Sequence, residues 1–143
     1  MPAPMPARHV PGDIVPFLRY ADPRAAIDWL ERAFGFAPIL VVDDGAGGVA
    51  HAELRLGSSA IMLGGLKDDA LGMVSPAQAG GVTQGIYVVV DDAEALWVKA
   101  RTAGARVAIN IYDTPYGSRE FAVRDPEGHL WSIGTYRAGS SEG

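Results

Sequence analysis

The chain has 143 residues, long enough to bury a core of its own. It has no cysteine, which excludes a disulfide scaffold, a thiolate metal centre and a cysteine nucleophile. Its net charge of −5, with no basic block, speaks against a nucleic-acid partner and against an anionic membrane surface.

The elements follow in chain order. Residues 1–12 carry three prolines within Met1–His9 and no hydrophobic stretch, so they read as an extended arm, not a secretory signal. The cytoplasm is the expected location, and no apolar run reaches the roughly 18 residues of a membrane span. Asp13–Tyr20 is predicted as a strand. Asp22-Pro23 then starts a helix, with Asp22 as N-cap and proline at the first helical position. Ile27, Trp29, Leu30, Ala33 and Phe34 recur at helical spacing, and Gly35 stops the helix. Phe36–Val42 and Val49–Leu56 are predicted strands joined by a glycine-rich hairpin, and Gly57-Ser58-Ser59 turns into a strand Ala60–Gly64.

Residues 65–81 form a long connection, expected to be a loop able to cover a ligand through Met73 and Val74. Gln84–Val90 reads as a strand, Asp91 or Asp92 caps a helix through Ala103, and Gly104 ends it. Arg106–Tyr112, Ser118–Arg124 and His129–Thr135 are three further strands. The last two are separated by the tight turn Asp125–Gly128, with proline at its second position. Trp29 and Trp97 fall on the apolar faces of the two helices and read as core.

The two halves repeat. Asp22 to Gly35 and Asp91 to Gly104 are both 13 residues apart, and the element order is the same. The expected fold class is therefore α+β: two βαβββ modules, residues 13–64 and 82–136, whose curved mixed sheets surround a cleft. Residues 137–143 form a tail.

Two segments carry a family resemblance. They are Phe17-Leu-Arg-Tyr-Ala-Asp-Pro-Arg-Ala-Ala-Ile-Asp-Trp29 and the stretch from Tyr116 to Tyr136, which includes Arg119-Glu-Phe-Ala-Val-Arg-Asp-Pro126 and Trp131-Ser-Ile-Gly134. With His51-Ala-Glu-Leu-Arg-Leu-Gly57, they resemble the vicinal oxygen chelate superfamily of glyoxalases, bleomycin-resistance proteins and extradiol dioxygenases. Within it, they resemble a PhnB-like subgroup. The resemblance implies the paired βαβββ fold and a homodimer. It also implies where a divalent metal is held in the family's enzymes, on the first and last strands of each module. Those positions fall here on Val15, Met62, Gly85 (or Gln84 with a one-residue slip) and Ser132. Such a set lacks imidazole and carboxylate, so no metal and no other cofactor is expected.

Other polar groups are candidates in their own right. On Val49–Leu56, strand alternation sends Val49, His51, Glu53 and Arg55 one way and Ala50, Ala52, Leu54 and Leu56 the other. His51 and Glu53 then lie side by side, about 7 Å apart at the backbone. They form either a solvated polar face or a base with its orienting carboxylate. Ser118, Glu120, Ala122 and Arg124 share a face of the matching strand. Phe17, Met62 and Tyr87 would face the cleft, where a planar or lipophilic guest could stack on them. The candidate ligand-binding residues are thus Phe17, His51, Glu53, Met62, Gln84, Tyr87, Glu120 and Ser132. His51 and Glu53 are the only catalytic candidates. His129 reads as an exposed turn residue, and His9 lies in the arm. The expected partner is a small organic ligand, such as an antibiotic, held without metal. The alternative is a lyase, isomerase or dioxygenase with a relocated divalent metal.

Overall fold

A computed structural model describes residues 11–139, so most of the arm, His9 included, lies outside the described residues. The elements are β1 (Phe17–Tyr20), α1 (Pro23–Phe34), β2 (Ala37–Asp43), β3 (Val49–Leu56), β4 (Ser59–Gly65), α2 (Pro76–Ala79), β5 (Gly85–Val89), α3 (Ala93–Thr102), β6 (Arg106–Asp113), β7 (Arg119–Arg124) and β8 (Leu130–Gly134). They build two four-stranded mixed sheets, ordered β1-β4-β3-β2 and β5-β8-β7-β6. In each sheet the first strand of the module runs parallel to the last, and the remaining pairs are antiparallel. The fold is α+β, with one βαβββ module repeated.

The chain divides into two compact units. One holds the residues up to Glu31 together with Gly35–Ser75, and the other holds Arg32–Phe34 with the chain from Pro76 onward.

The first unit follows its sequence closely. Asp22 accepts a hydrogen bond from the Ala25 amide at 3.1 Å, and Gly35 closes α1 in the left-handed region. One face of the first sheet buries Leu18, Tyr20, Ala52, Leu54, Ile61 and Leu63. Each large aliphatic side chain there contributes roughly 2 kcal/mol of burial. Val49 departs from the alternation. It was expected beside His51 on the polar face and is buried, at a place where the β2–β3 register shifts.

β1 is also shorter than expected, starting at Phe17 in place of Asp13. Pro16 has no N–H to extend the ladder, and its carbonyl accepts the Met62 amide as the last contact. The connection is not structureless. Ser75 is buried and α2 makes a short helical turn.

In the second unit the cap of α3 is Asp92, whose side chain accepts the Ala95 amide at 3.0 Å. The helix closes on Ala103, and Gly104 follows at positive φ. Trp97 packs edge-on against Phe121 with ring centroids 5.1 Å apart. Beneath lie Trp131, Ile133 and Val123, all buried. His129 is half-buried, not exposed. The Asp125 carboxylate accepts its amide, and its carbonyl accepts the Asp125 N–H, so the turn folds back over it. Gln84 lies just outside β5 and is exposed.

Candidate functional site

Each sheet has a second face, opposite its core, and the candidate residues fall on these faces. The backbone register makes the two faces counterparts. On the first, Phe17 is the partner of Met62 and Met62 is the partner of Glu53. On the second, Tyr87 is the partner of Ser132 and Ser132 is the partner of Ala122. Phe17 and Tyr87 therefore hold equivalent places, as do Met62 and Ser132. The 70-residue offset between them is the sequence repeat expressed in the sheet.

On the first face Phe17 is 51% exposed and Met62 half-buried beside it. His51 Nε2 lies 2.9 Å from Glu53 Oε2, bringing together the pair expected from strand alternation. Facing an ionised Glu53, Nε2 is the donor of this bond. This arrangement can orient a base or hold a polar group of a ligand.

Arg19 lies on this face too and is nearly buried. Its Nη2 donates to Asp69 Oδ2 at 3.0 Å. Asp69 also accepts the Leu71 amide at 3.0 Å. The guanidinium first, and the Leu71 amide with it, hold the Asp69 carboxyl below the usual carboxylate range, burial opposing them. The connecting segment is thereby fastened to β1. Sequence reasoning missed this pairing because 50 residues separate its partners.

On the second face Glu120 is the centre. Its Oε2 accepts hydrogen bonds from the Tyr87 hydroxyl and the Ser118 hydroxyl, each at 2.9 Å. The Tyr116 hydroxyl stands 3.4 Å from both carboxylate oxygens. Gly134, the register partner of Glu120, makes room for this. A side chain there would meet the Tyr87 hydroxyl, and its Cβ would sit 2.6 Å from Glu120 Cγ. Desolvation first, then the bond to Glu120, hold the Tyr87 phenol above its ordinary pKa. Desolvation and the negative charge of Glu120 do the same for Tyr116. Both phenols therefore stay protonated donors at neutral pH. Tyr116 and Tyr136 were not among the sequence candidates. Their signal was weak: Tyr116 sits four residues before Glu120, in strand parity with it but inside a loop.

The family's metal positions can be tested against these side chains. Val15 precedes β1, Met62 offers a thioether, Gly85 has no side chain, and Ser132 offers a neutral hydroxyl. A divalent metal of that family needs imidazole or carboxylate donors, so these four residues do not fit one. Among the described residues no group of three or more His, Asp or Glu side chains is placed to hold a metal ion. No helix of the described residues is long and apolar enough to cross a membrane.

Comparison with known proteins agrees with this fold. The family model of the glyoxalase/bleomycin resistance protein/dioxygenase superfamily matches residues 12–133. An uncharacterized protein of Mycobacterium bovis is 34% identical over 124 residues, covering 83% of this chain and 80% of its own. Among solved structures, TioX from Micromonospora sp. ML1 is similar at a TM-score of 0.69 and 31% identity, over 87% of this chain and 98% of that one. The fosfomycin resistance protein FosX from Mesorhizobium loti shares the fold at a TM-score of 0.63 and 13% identity, over 91% of this chain and 96% of its own.

Proposed function

The chain belongs to the glyoxalase/bleomycin resistance protein/dioxygenase superfamily, and from that premise we propose that it binds a small organic molecule without a metal. One observation carries this reading. At the places where the family's metal enzymes carry ligands, the chain presents thioether, hydroxyl and no side chain. Beside two of these places stand exposed aromatic rings, Phe17 next to Met62 and Tyr87 next to Ser132. Such surfaces favour a flat or lipophilic guest through apolar contact and ring stacking. His51 and Glu53 supply the polar contacts on the first face and Glu120 those on the second, and Gln84 stands just outside β5. The protein acts by sequestering or carrying its ligand, an antibiotic being one class that suits these surfaces. It works as a homodimer in the cytoplasm.

The His51–Glu53 pair favours a second reading, a lyase, isomerase or dioxygenase with a relocated divalent metal, because it offers two donors 2.9 Å apart. Native mass spectrometry of the purified protein separates the two. The binding reading expects a retained organic mass, a dimer and no stoichiometric metal. One tightly held metal per chain, with turnover lost in His51→Ala, would overturn it in favour of the enzyme.

A further inference from the structure

We propose that the Glu120 carboxylate and the tyrosines around it form a binding site for a small organic cation, a quaternary ammonium or a protonated amine. This rests on the organic-ligand reading above and names the class of ligand.

The first observation is the distribution of tyrosine. The chain has five, and four of them collect on this one part of the second unit. Tyr87 donates to Glu120. Tyr112 is the register partner of Glu120 across the β6–β7 ladder. Tyr116 approaches both carboxylate oxygens, and Tyr136 packs edge-on against Tyr116 with ring centroids 5.3 Å apart. The Tyr136 amide also donates to the Ser118 hydroxyl at 3.0 Å, which ties the chain end to the same cluster. All four tyrosine residues are at least a third exposed. Core residues would not be left so open, and here two phenols reach one carboxylate while a third ring packs on one of them.

The second observation is the state of the carboxylate. Oε2 is engaged by two hydroxyl donors, whereas Oε1 has only the longer approach of Tyr116. Hydroxyl donors orient the carboxylate and bring no positive charge. Among the described residues Glu120 has no salt-bridge partner. Its neighbour Arg119 points to the opposite side and pairs with Asp113 and Glu94. Arg124, on the same side of β7, donates to the Gly128 carbonyl. The carboxylate is oriented and, among the described residues, left without a cation.

The chemistry of the occupant follows. An anion is repelled by Glu120, and a neutral guest leaves the charge unused. An organic ammonium satisfies Oε1 and lies against the electron-rich faces of the rings, the combination that recognises quaternary ammonium groups elsewhere in proteins. A bare inorganic cation would use the carboxylate but not the rings.

The test uses choline and its neutral carbon isostere 3,3-dimethylbutan-1-ol, titrated into the full chain and followed by calorimetry and by the tyrosine ring resonances. Choline is expected to bind saturably and to shift those resonances. The isostere and the Glu120→Gln variant should each lose at least about tenfold in affinity. Tyr116→Leu, a change at an exposed loop position, should weaken binding by roughly threefold to tenfold. That variant serves as the check should Glu120→Gln fail to fold by circular dichroism. Equal binding of choline and the isostere would overturn the proposal, as would choline binding unaffected by both substitutions, or no saturable choline binding. An organic mass retained in native mass spectrometry, with no preference for choline over the isostere, would overturn the cation site and leave the broader organic-ligand reading standing.

Discussion

Asp125 is 1% exposed, and its carboxylate accepts the amides of Glu127 and His129, each at 3.0 Å, and the Trp131 indole N–H at 3.1 Å. Its carboxylate thus fixes the β7–β8 turn and one side of the second core together. Sequence reasoning saw only turn chemistry there, because the indole contact depends on which way Trp131 faces. Asp125→Ala removes the acceptor and leaves the buried Trp131 N–H and two part-buried amides unmatched, at about 1–3 kcal/mol for the buried donor and less for each of the others. The expected result of denaturant unfolding is a loss of about 3 kcal/mol or more. Gly64 is another single-residue constraint. A Cβ there would lie 2.7 Å from the Ala50 carbonyl, which is backbone and cannot swing away. Gly64→Ala is therefore expected to lower stability by roughly 1–3 kcal/mol in the same assay. Glycine at that position reflects the sheet, not a ligand.

Among the elements, the helices were the most legible. The caps at Asp22 and Asp92 and the glycines after each helix are local signals, and the caps act through bonds to residues three positions on. Asp22→Ala is expected to cost about 1 kcal/mol, measured as a lower thermal midpoint with an unchanged fold. The connecting segment was the least legible element, since its fastening to β1 depends on Arg19 and Asp69 meeting in space. This fastening has a pH dependence of definite sign. The folded carboxyl of Asp69 lies below its unfolded value of 3.8. Its contribution is complete above that unfolded value and is lost as pH falls through the lower folded one. Amide relaxation of Leu71 should therefore be constant from neutral pH to about 5, then report greater motion in more acid solution. Asp69→Asn should show the acid behaviour already at neutral pH.

At the scale of the molecule, the two modules share one topology but not one surface chemistry. The first carries Phe17, Met62 and the His51–Glu53 pair. The second carries Glu120 among phenols. A guest that binds only the folded chain raises its stability by about 2.7 kcal/mol at a hundred times its dissociation constant. Screening neutral, cationic and anionic aromatic compounds by thermal shift is expected to find stabilisers among the first two classes. Anionic compounds should give no shift where Glu120 is part of the site, given also the net charge of −5.

By itself, the sequence determined the repeat, the order of the repeated elements, the helix limits, the alternation of β7 and of β3 beyond Val49, and the candidate residues on them. These follow from neighbours a few positions apart, through the periods of strand and helix and the φ preferences of glycine and proline. The resemblance carries the family's metal positions onto residues without imidazole or carboxylate, and that lack is a matter of residue identity alone. Tertiary structure decided the rest. It placed Tyr116 at Glu120 and Tyr136 against Tyr116, joined Arg19 to Asp69, buried Asp125 under Trp131 and shortened β1 at Pro16. Each of these depends on strand register or on residues far apart in the chain, and the local pattern holds no record of the distances between them.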